Sequence, residues 1–356
     1  MAMLEVGKDF WRGRPVFVTG HTGFKGSWLS LWLQSLGADV TGYALPAPTN
    51  PSLFEIAEVA RGMKHVHGDL RDVATLERTI RHAAPEVVFH LAAQSLVRQS
   101  YRDPVDTITS NVIGTMNVLE AVRRQPSVKA VVIVTSDKCY LNRESPRPYR
   151  EEDSLGGKDP YSASKACAEL LAAAWRDSFL ADRVAVATAR AGNVIGGGDW
   201  AADRLVPDAL RAWSNGETVQ VRYPAAVRPW QHVLEPLAGY LLLARRLLDG
   251  KAVGAWNFGP LEGDALTVAE LLNALAKLWG PSARWQTDDG EHPAEAGLLR
   301  LDSSRARTEL GWRTRYDSQG ALERVVAWHR AWLDGKDMRD FSLGQIENYM
   351  ARGTEQ

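Results

Sequence analysis

The sequence predicts an α/β fold, a doubly wound parallel sheet followed by a smaller, irregular C-terminal part. Three observations carry that prediction. Short β-branched runs alternate with helical patterns through residues 8–190, as in parallel strands joined by crossover helices. The first of these runs, "PVFVTG", passes through closely spaced glycines straight into a helical pattern. Beyond Gly196 the alternation decays into short polar and aromatic segments such as "GGGDWAADRLVPDAL".

Taken in order, "PVFVTG" is a strand and is followed by a helix from about Lys25 to Leu36. The second strand is "ADVTGYA", and another runs up to "GDLRD" before a helix near Ala74 to His82. "EVVFHLAA" and "AVVIVTS" are strands on either side of a helix near Asn111 to Arg124. A longer helix is expected from about Tyr161 to Asp177, and "RVAVATARAGNVIG" reads as a strand leaving the sheet. Later helices are expected near Glu235 to Leu248, Thr267 to Leu278 and Ser318 to Leu333, with a frayed tail at "ARGTEQ". The expected units are residues 8–190, holding the sheet, and 191–345, interleaved with it. The second should close over the carboxyl ends of the strands, where open parallel sheets hold their ligands.

Composition narrows the class of function. At 356 residues, 45% hydrophobic and 24% charged, the chain can bury a large core. A net charge of -1 leaves no basic footprint for nucleic acid or anionic membrane. The two cysteines, Cys139 and Cys167, fit a reducing compartment. No run of 18 apolar residues occurs and "MAMLEVGKDFWRGRPVF" lacks an apolar signal core, so a cytoplasmic protein is expected. No cluster of His, Cys, Asp or Glu has metal-site spacing, and no metal is expected. Most of the 13 tryptophans, such as Trp328 and Trp332 four apart, read as packing residues.

The stretch "PVFVTGHTGFKG" places Gly20, Gly23 and Gly26 between the first strand and the first helix. There the glycines give a tight turn, close approach of backbone to a pyrophosphate and tight packing of helix on strand, which is a dinucleotide site. His21 and Lys25 add positive charge near phosphate, or are ordinary loop residues. No acid marking NAD and no arginine marking NADP ends the second strand, where Gly42, Tyr43 and Ala44 stand. Tyr43 either stacks on the adenosine half or is buried, and Asp69 either accepts from adenine or is a turn acid.

Farther on, "YSASK" sets Tyr161 and Lys165 four apart, on one face of a helix. An ammonium beside a phenol favours the phenolate, so the pair can take a proton from an alcohol. Thr135 lies 26 residues before Tyr161, at the end of the strand "VVIVTS", and is followed by Ser136, Asp137 and Lys138.

From the glycine loop through "HLAAQS", "TSDKCY" and "YSASK" the sequence resembles the extended short-chain dehydrogenase/reductase family, and inside it the nucleotide-sugar 4,6-dehydratases. The matching stretches include "GHTGFKGSWLSLWL", "HLAAQSLVRQSYRDP", "GGKDPYSASKACAE", "RAGNVIGGGDWAADRLVPD" and "VRPWQHVLEPLAGYL", and cover roughly residues 8–340. The resemblance implies a Rossmann-type domain with a C-terminal nucleotide-sugar domain, NAD as cofactor with NADP left open, and a nucleotide-hexose substrate. It implies cofactor contacts from Gly20, His21, Thr22, Gly23, Phe24, Lys25, Gly26, Tyr43, Asp69, Leu70, Leu91, Ala92, Ala93, Gln94, Thr135, Tyr161 and Lys165. Substrate contacts are implied for Gln94, Ser136, Asn193, Arg204, Arg228, Gln231 and His232, with Trp230 beside them.

In the implied chemistry Tyr161 takes the C4 hydroxyl proton, Ser136 bonds the C4 oxygen and Asp137 is the acid at the C6 oxygen. Lys138 stands where dTDP-glucose dehydratases carry a glutamate base, and the branch acting on CDP-glucose resembles this sequence there. It serves as a neutral amine or stabilises the enolate electrostatically. The helices near 111–124 and 161–177 resemble the pair that builds an intersubunit four-helix bundle, which implies a homodimer. Two rival readings remain: a 4-epimerase or reductase of the same fold, needing Tyr161 and Lys165 but no acid and base at 137 and 138, and a non-catalytic NAD sensor or scaffold.

Overall fold

The computed structural model describes residues 7–261, 263–288, 290 and 297–352. Seven parallel strands form the central sheet: β1 (Pro15–Thr19), β2 (Asp39–Ala44), β3 (Lys64–His67), β4 (Val87–His90), β5 (Ala130–Val134), β6 (Ala185–Ala191) and β7 (Gly254–Phe258). Their order is β7-β6-β5-β4-β1-β2-β3. The chain builds outward from β1 to one edge and then returns to build the other, so a crevice opens at the carboxyl ends of β1 and β4.

Every residue of β5 is buried. Val131 and Ile133 enter one core with Phe17 and Val88, while Val132 and Val134 enter the other with Val16, Val18, Val87 and Phe89. This split with period two is what a strand covered on both faces requires, and it explains the unbroken apolar runs.

Helices cover both faces. α1 (Phe24–Ser35) supplies Trp28 to Leu33 to one core, whereas α2 (Val73–Ala83), α3 (Gly114–Arg124) and α4 (Pro160–Trp175) close the other through Leu76, Ile80, Val118, Leu119, Val122 and Ala172. α4 starts where the sequence tells it to. Asp159 caps it by accepting from the Ser162 N–H at 2.9 Å, and Pro160 occupies its first turn.

In the C-terminal half, α5 (Leu205–Ser214), α7 (Val268–Trp279) and α8 (Ser318–Leu333) share a third core with the paired strands Thr218–Val221 and Arg284–Thr287. α6 (Leu234–Leu248) instead packs on the sheet, and α9 (Met338–Ala351) returns to α1, with Tyr349 edge-on to Trp32 at 5.6 Å.

Some details differ from expectation. β6 stays in the sheet to Ala191, between β5 and β7, and only Val194–Ile195 departs to pair with Gln231–His232. Neither β7 nor α9 was legible, because each is stabilised by distant partners rather than by a local pattern. The start of the third helix, expected at Asn111, falls in a π-turn over Thr109–Ile113. The segment "ARGTEQ" begins inside α9, and its last four residues lie outside the described residues. Among the described residues no helix is long and apolar enough to cross a membrane, and no group of His, Cys, Asp or Glu could hold a metal.

Candidate active site

A cavity of about 1150 Å³ runs from the glycine loop across the strand ends into the C-terminal half. Its lining includes Gly20, Thr22, Gly23, Phe24, Lys25, Gly26, Asp69, Leu70, Leu91, Ala92, Ala93 and Gln94. Thr135, Ser136, Asp137, Lys138, Tyr161, Lys165, Asn193, Arg204, Arg228 and Trp230 line it too. Most residues singled out in the sequence therefore face one space.

The glycine loop fits a dinucleotide. Gly20 holds φ +76°, and a Cβ there would lie 2.6 Å from the Ala92 nitrogen; one on Gly26 would lie 2.0 Å from the Gly20 carbonyl oxygen. Only glycine lets α1 start so close to the strand ends. α1 starts without a side-chain cap, which leaves its first turn to an anion.

Four expected residues do not line the cavity. The His21 ring is buried under Gly42, with its Nε2 2.6 Å from His65 Nδ1. Burial, then His65 and His67, lowers it to about 3, so it adds no positive charge beside a phosphate. Tyr43 is fully buried, stacks on Phe17 at 6.3 Å and donates its hydroxyl to the Asp69 carbonyl at 2.8 Å. It is a packing residue. Gln231 donates to the Phe258 carbonyl at 2.8 Å. His232 packs against Trp28 and Tyr316, and burial lowers it to about 3. Their strand pairs behind the cavity, which turns both side chains into the core.

Two lining residues spend their polar groups on the protein. The Gln94 amide donates to Leu96 and Thr107 and accepts from the Leu96 N–H. The Asp69 carboxylate holds Arg71, whose guanidinium keeps it below the usual carboxylate range. Asp69 thus behaves as a turn acid.

The reaction centre forms where β5 meets α4. Ser136 donates to Asp137 Oδ1 at 2.9 Å and accepts from the Lys138 N–H at 3.2 Å. Lys138 Nζ lies 3.7 Å from Asp137 Oδ1, whereas Asp137 Oδ2 is buried without a hydrogen-bond partner. Lys165 donates to the Val134 carbonyl at 3.2 Å, and burial lowers it to about 8 against the pull of Glu169. Burial pushes Tyr161 up to about 12, opposed first by a hydrogen bond from Ser136 and then by Arg204. Lys165 donates to the Val134 carbonyl rather than to the phenol, and burial is the first cause acting on Tyr161.

Sequence reasoning missed three groups. Glu169 accepts from Thr135, from Thr188 at 2.7 Å and from Arg190 at 2.7 Å. It stands four residues beyond Lys165 on the same helix, so the spacing could have found it. Arg98 pairs with Asp203 at 2.8 Å, and Arg222 lies 3.6 Å from the same carboxylate. Arg204, which was expected, pairs with Asp199 at 2.9 Å and donates to Ser95 at 3.0 Å. Arg228 donates to the Val227 carbonyl at 3.0 Å.

The chain is similar to known proteins over most of its length. A CDP-glucose 4,6-dehydratase of Salmonella typhimurium is 52% identical, over 98% of this chain and 99% of that protein. A dTDP-glucose 4,6-dehydratase of Streptomyces griseus is 30% identical over 90% of this chain and 96% of its own length. Among solved structures, a UDP-glucose 4-epimerase of Stenotrophomonas maltophila with bound NAD superposes with a TM-score of 0.78 at 24% identity, covering 90% of this chain and 99% of that one. Residues 17–325 match the family model described as GDP-mannose 4,6 dehydratase, and the chain belongs to that family.

Proposed function

We propose that this chain converts CDP-glucose into CDP-4-keto-6-deoxyglucose by 4,6-dehydration, with NAD as a resident carrier. The observation that carries the reading is Asp137 and Lys138 at the end of β5, in one cavity with Tyr161: a 4-epimerase has no use for that acid and amine. Bound NAD supplies a positively charged ring that accepts hydride from C4 and gives it back at C6. Tyr161 removes the C4 hydroxyl proton and Ser136 bonds the oxygen it leaves. The ketone so formed acidifies the C5 proton, which Lys138 takes. Asp137 then protonates the departing C6 hydroxyl, which leaves as water, and Lys138 returns a solvent-exchanged proton to C5 when C6 is reduced. Arg204, Arg228 and Asn193 hold the nucleotide diphosphate, as guanidinium forks suit phosphate. The base, cytosine, is supported by the 52% identical relative.

The same reading extends to the assembly and its setting. A homodimer fits the apolar residues left exposed along α4 and the segment before α3, and the reading extends to a cytoplasmic setting and a deoxysugar precursor for polysaccharides, O-antigen among them. Residues 8–190 hold the cofactor and 191–345 the nucleotide sugar. Incubation with CDP-, dTDP- and GDP-glucose in deuterium oxide, followed by mass spectrometry, tests the reaction. The expected product comes from CDP-glucose, has lost one water and carries solvent deuterium at C5, and Lys138→Ala abolishes that deuterium. Unchanged mass with inversion at C4 would make the protein an epimerase, and bound NAD without turnover would make it a sensor.

A further inference from the structure

Lys25 stands between Gly23 and Gly26, where the sequence left it either as positive charge near phosphate or as an ordinary loop residue. It lines the cavity, so the part of its surface that remains open faces the ligand space. Among the described residues it makes no ion pair. The charges that act on it are Arg204, Asp137, Lys165 and Lys138, the last three from the reaction centre, and none comes from the adenosine end around Asp69. Lys25 thus shares one region of the cavity with Asp137, Lys138 and Lys165, and with Arg204, whose charge Asp199 balances.

When the C4–H bond breaks, its electron pair passes to the ring and the hydroxyl proton to Tyr161. The ring's charge falls from positive to neutral while C4 becomes a carbonyl. A positive charge on Lys25 beside the ring favours that change. We propose that Lys25 raises the reduction potential of the bound nicotinamide, making it a better hydride acceptor from the sugar. Lys25 is then a positioning residue, acting through the ring. Burial, then Arg204, lowers it to about 7, so its charge is present below that pH and fades above it.

The proposal rests on the hydride-relay reading, and the experiment separates the two. Purified holoenzyme is poised against a redox couple of known potential, and reduced nicotinamide is followed by its near-ultraviolet absorbance. At about pH 6, Lys25→Met should lower the reduced-to-oxidised ratio about tenfold, about 30 mV for a two-electron couple. Lys25→Arg should keep the ratio at that pH and exceed the native protein above about pH 8, where lysine has lost its proton. A ratio indifferent to Lys25→Met overturns the proposal. Should that variant lose its nucleotide, parallel pH curves for native protein and Lys25→Arg overturn it equally. Native holoenzyme whose nicotinamide is never reduced by CDP-glucose overturns the hydride relay itself.

Discussion

Asp137 is 1% exposed, and one of its carboxylate oxygens has no hydrogen-bond donor. Leaving such a group unpaired costs about 1–3 kcal/mol or more, which a purely structural residue has no reason to bear. Its neighbours explain the arrangement: Ser136 and Lys138 occupy Oδ1, and Oδ2 keeps its hydrogen-bonding capacity. Asp137→Asn should slow release of the C6 hydroxyl by about 10²–10⁴-fold. The preceding oxidation at C4, read as reduced nicotinamide in a single turnover, should change far less. Equal loss of both steps would falsify its assignment as the C6 acid. At this scale the sequence names residue types but not their surroundings. His21 and Lys25 are loop neighbours of similar chemistry, yet one is walled in by Gly42 and His65 and the other opens on the cavity.

Among the elements, α4 was the most legible, because its cap, its first-turn proline and its Tyr-x-x-x-Lys spacing are all local. α9 was the least legible, since it is held by residues distant in the chain, among them Trp32 of α1 and a buried acid of α6. Glu235, at the start of α6, accepts from the Tyr316 N–H at 2.8 Å, from the Arg315 N–H at 3.1 Å and from the Tyr349 hydroxyl of α9 at 2.8 Å. Burial raises it from 4.5 to about 7, even though these donors favour the charged form. The folded state therefore binds this proton more tightly than the unfolded one does. The stabilisation that this proton provides is complete below about pH 4.5 and is lost as pH rises through 7, a change of roughly 3 kcal/mol. Glu235→Gln should flatten the fall in unfolding free energy between about pH 5 and 7, measured by urea titration at several pH values. An unchanged slope would mean that Glu235 is ionised throughout.

At the scale of the whole molecule, the surface left over is as informative as the core. Val105 is 71% exposed and Leu170 59%, while Ile108 and Ile113 are also open, on α4 and the helical segment packed against it. An apolar face of this kind on two neighbouring helices suits a second copy of the chain. Leu170→Glu combined with Val105→Glu should convert a dimer into monomer in light scattering while the monomer retains its nucleotide. A native protein that is already monomeric would remove the dimer from the proposed function. The sequence by itself determined the parallel sheet, the glycine loop and the identities of Tyr161, Lys165, Asp137 and Lys138, because hydrophobic period, glycine spacing and helical spacing are local properties. Only the tertiary structure decided which polar side chains reach the cavity and which charges they meet there. It turned Tyr43, His21, Gln231 and His232 inward, recruited Glu169, Arg98 and Arg222, and set Lys25 among the charges of the reaction centre. Burial and charge pairing are made by residues far apart in the chain, so no local pattern records them.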